Sequence, residues 1–272
     1  MSLSNSYAAN PEYRGWEDEL ERLSAQVLLS WEQEARLLNW LGLQDGMSVL
    51  ELGSGPGFVT GKLLPLLPNS SITAVEIDPE MHKRAKQHLG DSASNRLKLV
   101  EASVMNMGLP EKHYDFALAR LIFQHLSSPI EAAQEVLRVL KPGGKLAIID
   151  LDAALWGIVE PYVPELQTIY AKSAQAQAAR RGNQLIGRRL WRILQAAGYT
   201  NLRLEAFVYH SDELGIEPFI PQMDPDRLLP SVWSDWISPQ EFATAHIAYQ
   251  RFLKSPDAYI LMLGLIACGE RP

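Results

Sequence analysis

From Trp16 to Leu41 the apolar positions Leu20, Leu23, Val27, Leu37, Leu38 and Leu41 recur at helical spacing, and Gly42 follows as a stop. This pattern predicts one or two amphipathic helices. Beyond the Asp45-Gly46 turn the period shortens. Apolar runs at Ser48 to Gly53, Ile72 to Asp78, Leu97 to Ser103, Tyr114 to Leu121 and Lys145 to Leu151 alternate with helical stretches around Pro79 to Leu89 and Pro129 to Leu140. Such alternation predicts a parallel sheet covered by helices, with Asp78 capping the helix that Pro79 begins.

After Asp152 the pattern changes. YAKSAQAQAARRG reads as an exposed helix, and Gln184 to Ala197 as another that Gly198 ends. Asn201 to Tyr209 and Ala258 to Ala267 read as closing strands. Between them Glu213 to Pro256, rich in proline and aromatics, is too long for a hairpin loop and is expected to form a cap over the sheet edge. The expected organisation is a helical lid over 1–42 and one α/β domain over 43–272 with a cap insertion at about 213–256.

Composition narrows the partners. With 272 residues, 47% of them hydrophobic, the chain can bury a large core. Its 25 Lys and Arg against 32 Asp and Glu leave a charge of -7, which offers no broad basic surface to nucleic acid or an anionic membrane and favours a small-molecule partner. Cys268 is the only cysteine, so neither an intrachain disulfide nor a cysteine metal site is expected, as suits a reducing cytoplasm. The start lacks a basic end followed by an apolar run, and no stretch offers about 18 uninterrupted apolar residues. The expectation is a soluble, unexported, cytoplasmic protein.

Candidate chemistry lies in VLELGSGPG at residues 49–57. Gly53, Gly55 and Gly57 let the backbone turn sharply after a buried strand and approach a ligand. A dinucleotide fingerprint would need glycine where Phe58 or Thr60 stands, which disfavours a nicotinamide-dependent oxidoreductase. Instead an acid, Glu51, precedes the loop, and a second, Glu76, ends the next strand. These suit a ligand with an ammonium group, a ribose and no phosphates: Glu76 for the ribose hydroxyls, Glu51 for the positive amino-acid end, directly or through water. S-adenosylmethionine has those parts.

ELGSGPG, the acid in AVEIDPE and LKPGG before KLAIIDL together resemble the class I S-adenosylmethionine-dependent methyltransferases of the small-molecule type, over roughly Trp40 to Asp152. The resemblance implies a Rossmann-like, seven-stranded, mostly parallel sheet with one antiparallel closing strand, helices on both faces and a helical cap. It implies S-adenosylmethionine across the carboxyl ends of the first four strands. Gly53, Ser54 and Gly55 would then face the methionine part, Glu76 the ribose, Ile77 the adenine face, and Ser103 and Val104 the adenine edge. Where the family commonly has an aspartate after the third strand, LVEAS supplies Ser103. A noncatalytic S-adenosylmethionine-binding protein is a competing reading. A nucleic-acid amino methyltransferase is disfavoured, because ARLIFQHL lacks an Asn or Asp followed by two prolines and an aromatic.

Arg120, Gln124 and His125 fall at the end of the fourth strand, beside the expected methyl. Arg120 joins the cofactor-binding set, and His125 is the catalytic candidate, as a general base or as a residue that holds the loop. Asp150 and Asp152 lack evident oxygen neighbours, so no metal is expected. Tyr13, Arg14 and Trp16 are candidates for folding over the cofactor. Phe219, Met223, Trp233, Trp236, Phe242 and Tyr249 are candidates for an apolar acceptor pocket or for the cap's own packing. Arg180, Arg181, Arg188 and Arg189 read as solvated charges. The expected reaction is direct displacement, with catalysis from positioning and desolvation.

Overall fold

In the computed structural model, which describes residues 11–90, 95–155 and 157–272, the N-terminal apolar pattern forms one continuous helix, α1 (Pro11–Leu41). Then follow β1 (Ser48–Leu52), α2 (Phe58–Leu66), β2 (Ser71–Glu76), α3 (Pro79–Leu89), β3 (Leu97–Glu101), β4 (Tyr114–Arg120), α4 (Pro129–Val139) and β5 (Leu140–Asp150). The second half comprises β6 (Gly157–Glu160), α5 (Pro164–Ala179), α6 (Leu190–Ala197), β7 (Thr200–His210), α7 (Ser211–Leu214), α8 (Ile220–Met223), α9 (Leu229–Trp233), α10 (Pro239–Leu253) and β8 (Tyr259–Glu270). Asp78 caps α3 as expected, its side chain accepting from the Glu80 and Met81 amides.

The strands form one sheet in the order β3-β2-β1-β4-β5-β8-β6, with β7 also on β8. β1 to β5 are mutually parallel, and β8 is antiparallel to β5, β6 and β7, so β8 alone runs against the rest, as expected of a closing strand. The sheet has eight strands rather than seven because of β6. It pairs with β8 at Met262 to Tyr259, just past the place where Asp150 pairs with Leu265, so it prolongs the line of β5. Its four residues are too short and too exposed to leave an apolar signature.

Strand periodicity divides the core. Phe116 and Leu118 of β4 join Val49, Ile72, Ala147 and Ile149 against Leu38 and Leu63, the face covered by α1 and α2. Ala117 and Ala119 join Leu50, Leu52, Leu146 and Ile148 against Val136 and Ile193, the face covered by α4 and α6. Successive residues point to opposite faces, and because both are covered the strands read as unbroken apolar runs. A third cluster joins Val163, Leu166 and Ile169 at α5 to Phe219, Met223, Tyr249 and Phe252 from the segment between β7 and β8, together with Leu29 of α1. The segment between β7 and β8 therefore packs on α5 and α1 as well as on Ile260 and Met262 of β8.

Candidate active site

β1, β2 and β4 end on one side of the sheet, and a cavity of about 1960 Å³ opens there. Glu51, Gly53, Ser54, Gly55, Glu76, Ile77, Ser103, Val104, Arg120 and His125 all line it. The loop after β1 is shaped by two glycines with different reasons. Gly53 has φ 62° and a Cβ there would meet the Ile122 side chain at 2.6 Å, so both backbone and space require glycine. Gly55 has φ 53°, and nothing lies within 4 Å of the point where a Cβ would stand, which leaves open space above the backbone for a ligand. The loop docks on β2: the Ser54 amide donates to the Val75 carbonyl at 3.0 Å and the Gly55 amide to Glu76 Oε2 at 2.8 Å.

Glu76 is buried and already well supplied with donors. Its Oε1 accepts from the Ile77 amide at 2.8 Å and the Asp78 amide at 2.9 Å, while Gly55 occupies one site on Oε2. Burial raises its pKa, and those amides oppose the rise. Glu51 is 3% exposed and accepts from Thr60 Oγ1 of α2 at 2.6 Å. Desolvation lifts it to about 7, against the Thr60 hydrogen bond and the positive charge of Arg120. A carboxyl poised at that value gains from an arriving cation.

Ser103 stands two residues past the end of β3, shorter than predicted, and its hydroxyl accepts from the Met105 amide at 3.2 Å. Arg120 reaches across to α1: Nε donates to Glu34 Oε2 at 2.8 Å, and Nη2 to the Gln26 carbonyl at 3.0 Å and Ser30 Oγ at 3.2 Å. Ser30 in turn donates to Glu34 at 2.6 Å. The Arg120 guanidinium is thus committed to α1, a partnership that helical periodicity hides because Glu34 looks like an ordinary surface acid until α1 is laid on β4.

His125 ends a short helical turn, Phe123–His125, after β4. Gln177 Nε2 on α5 lies 3.1 Å from His125 Nδ1 and donates to the Gln124 carbonyl at 3.1 Å, while Gln184 Nε2 donates to Gln177 Oε1 at 2.7 Å. Burial and the charges of Arg180 and Arg22 push the imidazole down to about 4, so the ring is neutral at pH 7. Asp150 accepts from the Gln124 and Leu151 amides at 3.1 and 2.9 Å, and burial lifts it to about 7. Asp152, buried, is gripped by Arg188 at 2.5 and 2.7 Å, so Arg188, half-exposed as expected of a solvated charge, is also a buried acid's partner. Among the described residues no group of three or more His, Cys, Asp or Glu could hold a metal.

From the cap, Met223 lines the cavity along with Ile220, Leu228 and Pro230. The other aromatic candidates do not. Phe219 and Tyr249 are buried in the cap cluster, Phe242 packs against it, and Trp233 and Trp236 are 50% and 38% exposed. Arg180 and Arg181 do line the cavity. The Trp16 ring carries the Arg84 guanidinium at 4.7 Å, and the side chains of Tyr13 and Arg14 lie outside the described residues.

Known proteins agree with this architecture. The sequence model of the family described as "Methyltransferase domain" matches residues 50–148. Over 106 residues the chain is 34% identical to malonyl-[acyl-carrier protein] O-methyltransferase 1 of Ilyobacter polytropus, which covers 39% of this chain and 38% of that protein. Over 109 residues it is 33% identical to demethylmenaquinone methyltransferase of Chlamydia pneumoniae, covering 40% and 46%. Among solved structures, phosphoethanolamine N-methyltransferase 2 of Haemonchus contortus, crystallised with phosphomonomethylethanolamine and S-adenosylhomocysteine, shares the fold at a TM-score of 0.62, with 14% identity over 100% of this chain and 60% of that one. Residues 50–148 thus resemble a methyltransferase domain, and the Rossmann-like sheet shares the fold of that solved structure. The chain spans less than half the length of these curated relatives, 38% and 46%.

Proposed function

We propose that the protein transfers a methyl group to a small-molecule acceptor by direct displacement within this cavity, with S-adenosylmethionine as donor. The observation that carries the reading is the convergence of Glu51, the Gly53 to Gly55 loop and Glu76 on one open cavity. The fit is physical. Open space over Gly55 admits a ligand, Glu76 Oε2 keeps a lone pair for a hydroxyl, and Glu51 gains from a cationic group. Gly53, Ser54 and Gly55 would hold the methionine part, Glu51 its ammonium end, Glu76 the ribose, Ile77 the adenine face, and Ser103 and Val104 its edge. When bound, S-adenosylmethionine supplies a methyl on a positive sulfur, so the leaving group needs no acid.

This chain's own contribution is therefore positioning and exclusion of water. Arg120, held by Glu34, links α1 to the end of β4, and 1–42 acts as a lid in this reading. The cap at about 213–256 shapes the acceptor side through Ile220, Met223 and Leu228. His125, which lines the cavity after β4, is the catalytic candidate in this reading. The names of the quinone and malonyl-carrier relatives support a small-molecule acceptor, as does the net charge of -7. Among the described residues no helix is long and apolar enough to cross a membrane. With Cys268 the only cysteine, a cytoplasmic site of action fits. Calorimetry with S-adenosylmethionine and with S-adenosylhomocysteine, followed by labelled donor in a metabolite extract, tests the proposal. Folded protein that gives no saturable heat with either ligand would overturn it.

A further inference from the structure

Arg22, Arg120 and Lys172 line the cavity already paired, with Glu19, Glu34 and Glu241. Arg180 and Arg181 line it too, both exposed, and among the described residues neither side chain has an ion pair or a hydrogen bond. Their backbone is fixed by the end of α5. The Arg181 amide donates to the Ala178 carbonyl at 2.9 Å and the Gly182 amide to the Gln177 carbonyl at 3.0 Å, the pair of bonds that closes a helix on a left-handed residue. That residue is Arg181, at φ 67°. Glycine is the usual occupant because a Cβ is strained there, but here glycine comes one place later, at Gly182.

Beyond Gly182 the chain is tied to the ends of two strands. The Asn183 amide donates to the Gln124 carbonyl at 2.7 Å, and the Gln184 carbonyl accepts from the Ala153 amide at 2.8 Å. Gln124 follows β4 and Ala153 follows β5, whereas Glu51, the glycine loop and Glu76 belong to β1 and β2. Since the strands run β3-β2-β1-β4-β5, the arginine loop borders the cavity on the side away from β2. After burial, the charge of Arg180 is the next cause that holds the His125 pKa down, so this cation acts on the cavity wall as well as on solvent.

We propose that Arg180 and Arg181 are the anion-recognition site of the acceptor pocket, so that the molecule methylated carries a carboxylate or a phosphate group. The acceptor's identity rests on the methyltransfer reading, whereas anion binding at the loop stands by itself. Guanidinium groups pair two-pronged with either anion, and these two have no ion pair to give up first. The strained arginine at the helix end is explained by the same role, since glycine there would leave one guanidinium fewer. Asp18 and Glu21 of α1 also line the cavity and form no ion pair with this loop among the described residues, so a cationic acceptor is the alternative that the test must exclude.

Protein labelled with 15N at arginine is titrated with sodium malonate and with inorganic phosphate at constant ionic strength and mildly acid pH, where the Nε hydrogens exchange slowly. Arg180→Gln and Arg181→Gly identify the two signals. Both are expected to shift saturably with at least one of the anions and not with chloride, and the tighter anion tells carboxylate from phosphate. No saturable shift with either would overturn the proposal. Arg181→Gly, which relieves the left-handed residue, is expected to fold at least as stably as the parent and to bind the anion roughly fivefold more weakly. Arg180→Gln is expected to weaken it similarly; folded variants that bind the anion as the parent does would reject the site. Both should keep the parent's affinity for S-adenosylhomocysteine, and a loss there would assign the arginines to that ligand's own carboxylate instead. With labelled donor in a metabolite extract, the methylated products should be retained by an anion exchanger; products that are neutral or cationic would overturn the acceptor class. Failure of the methyltransfer reading shows separately, as parent protein that gives no saturable heat with S-adenosylhomocysteine while the anion titration stands.

Discussion

The Gly55 amide donates to Glu76 Oε2 at 2.8 Å, so the acid that ends β2 is also the anchor of the loop that follows β1. With the Ile77 and Asp78 amides on Oε1, one carboxylate satisfies three backbone donors. Two β-strands that are neighbours in the sheet thereby present their ends to the cavity as a single preformed surface. The dual hydrogen bond to a ribose expected from the sequence meets a carboxylate with Oε1 already taken, which leaves the ribose to Oε2.

Replacing Glu76 with Ala is therefore expected to do two things. Affinity for S-adenosylhomocysteine should fall by roughly tenfold or more, since a hydrogen bond to a charged group contributes about 1.5–3 kcal/mol. Melting temperature should fall as well, because the glycine loop loses its anchor. Calorimetry beside thermal melting measures both. Affinity within error of the parent would remove Glu76 from the ribose site.

Glu51 predicts a pH dependence. Its folded pKa is raised from 4.5 to about 7, chiefly by desolvation. Between those values the unfolded chain has lost the proton that the folded chain keeps, so stability falls as pH rises through the window and levels off above it. At about 1.4 kcal/mol per pK unit, the loss is on the order of 3 kcal/mol. Asp150 shifts in the same direction, so the Glu51 share is read by comparing parent with Glu51→Gln in denaturant titrations from pH 4.5 to 7.5. The variant should show the shallower slope. If a cationic ligand group docks at Glu51, binding at pH 6 should also release a proton, visible as buffer-dependent heat in the parent and lost in Glu51→Gln. Equal slopes and equal heats would count against both.

Much of this site was legible because strand ends and glycine turns are local. Glu51, Gly53, Gly55 and Glu76 sit next to features that a short window reveals, and parallel strands buried on both faces announce themselves as apolar runs. What sequence could not supply were partners joined across the fold. Glu34 lies 86 positions from Arg120, Gln177 52 from His125, and Arg188 36 from Asp152. Each is an ordinary polar residue on a helix or loop until packing brings it to its partner. The four residues of β6 failed for another reason, since an exposed strand carries no alternation to read.

The pair of Glu34 with Arg120 offers a test of how α1 is held. Side chains at 2% and 9% exposure leave little water to replace a lost partner. Glu34→Ala should destabilise by about 3–5 kcal/mol, because it strands a buried guanidinium. The double variant Glu34→Leu with Arg120→Met should recover a substantial part of that, since it removes both charges and keeps apolar volume. Chemical denaturation of the three proteins measures the cost. A double variant as unstable as Glu34→Ala would show that the pair's other hydrogen bonds, to Ser30 and the Gln26 carbonyl, dominate.

Acceptor choice is expected to respond to Met223 and not to the cap tryptophans. Trp233 and Trp236 stand half-exposed and away from the cavity, whereas Met223 is 3% exposed and lines it beside Ile220 and Leu228. A flexible thioether adapts to a ligand's shape, so a branched replacement of similar volume should change which shapes fit at little cost in stability. Once two acceptors have been found with labelled donor, Met223→Leu should alter the ratio of their kcat/KM values by a few-fold. Trp236→Ala should leave that ratio at the parent's value even where it lowers melting temperature. The ratio is the deciding quantity, because partial unfolding lowers both rates together and cancels from it. A ratio that shifts in Trp236→Ala and holds in Met223→Leu would move the acceptor site to the outer face of the cap.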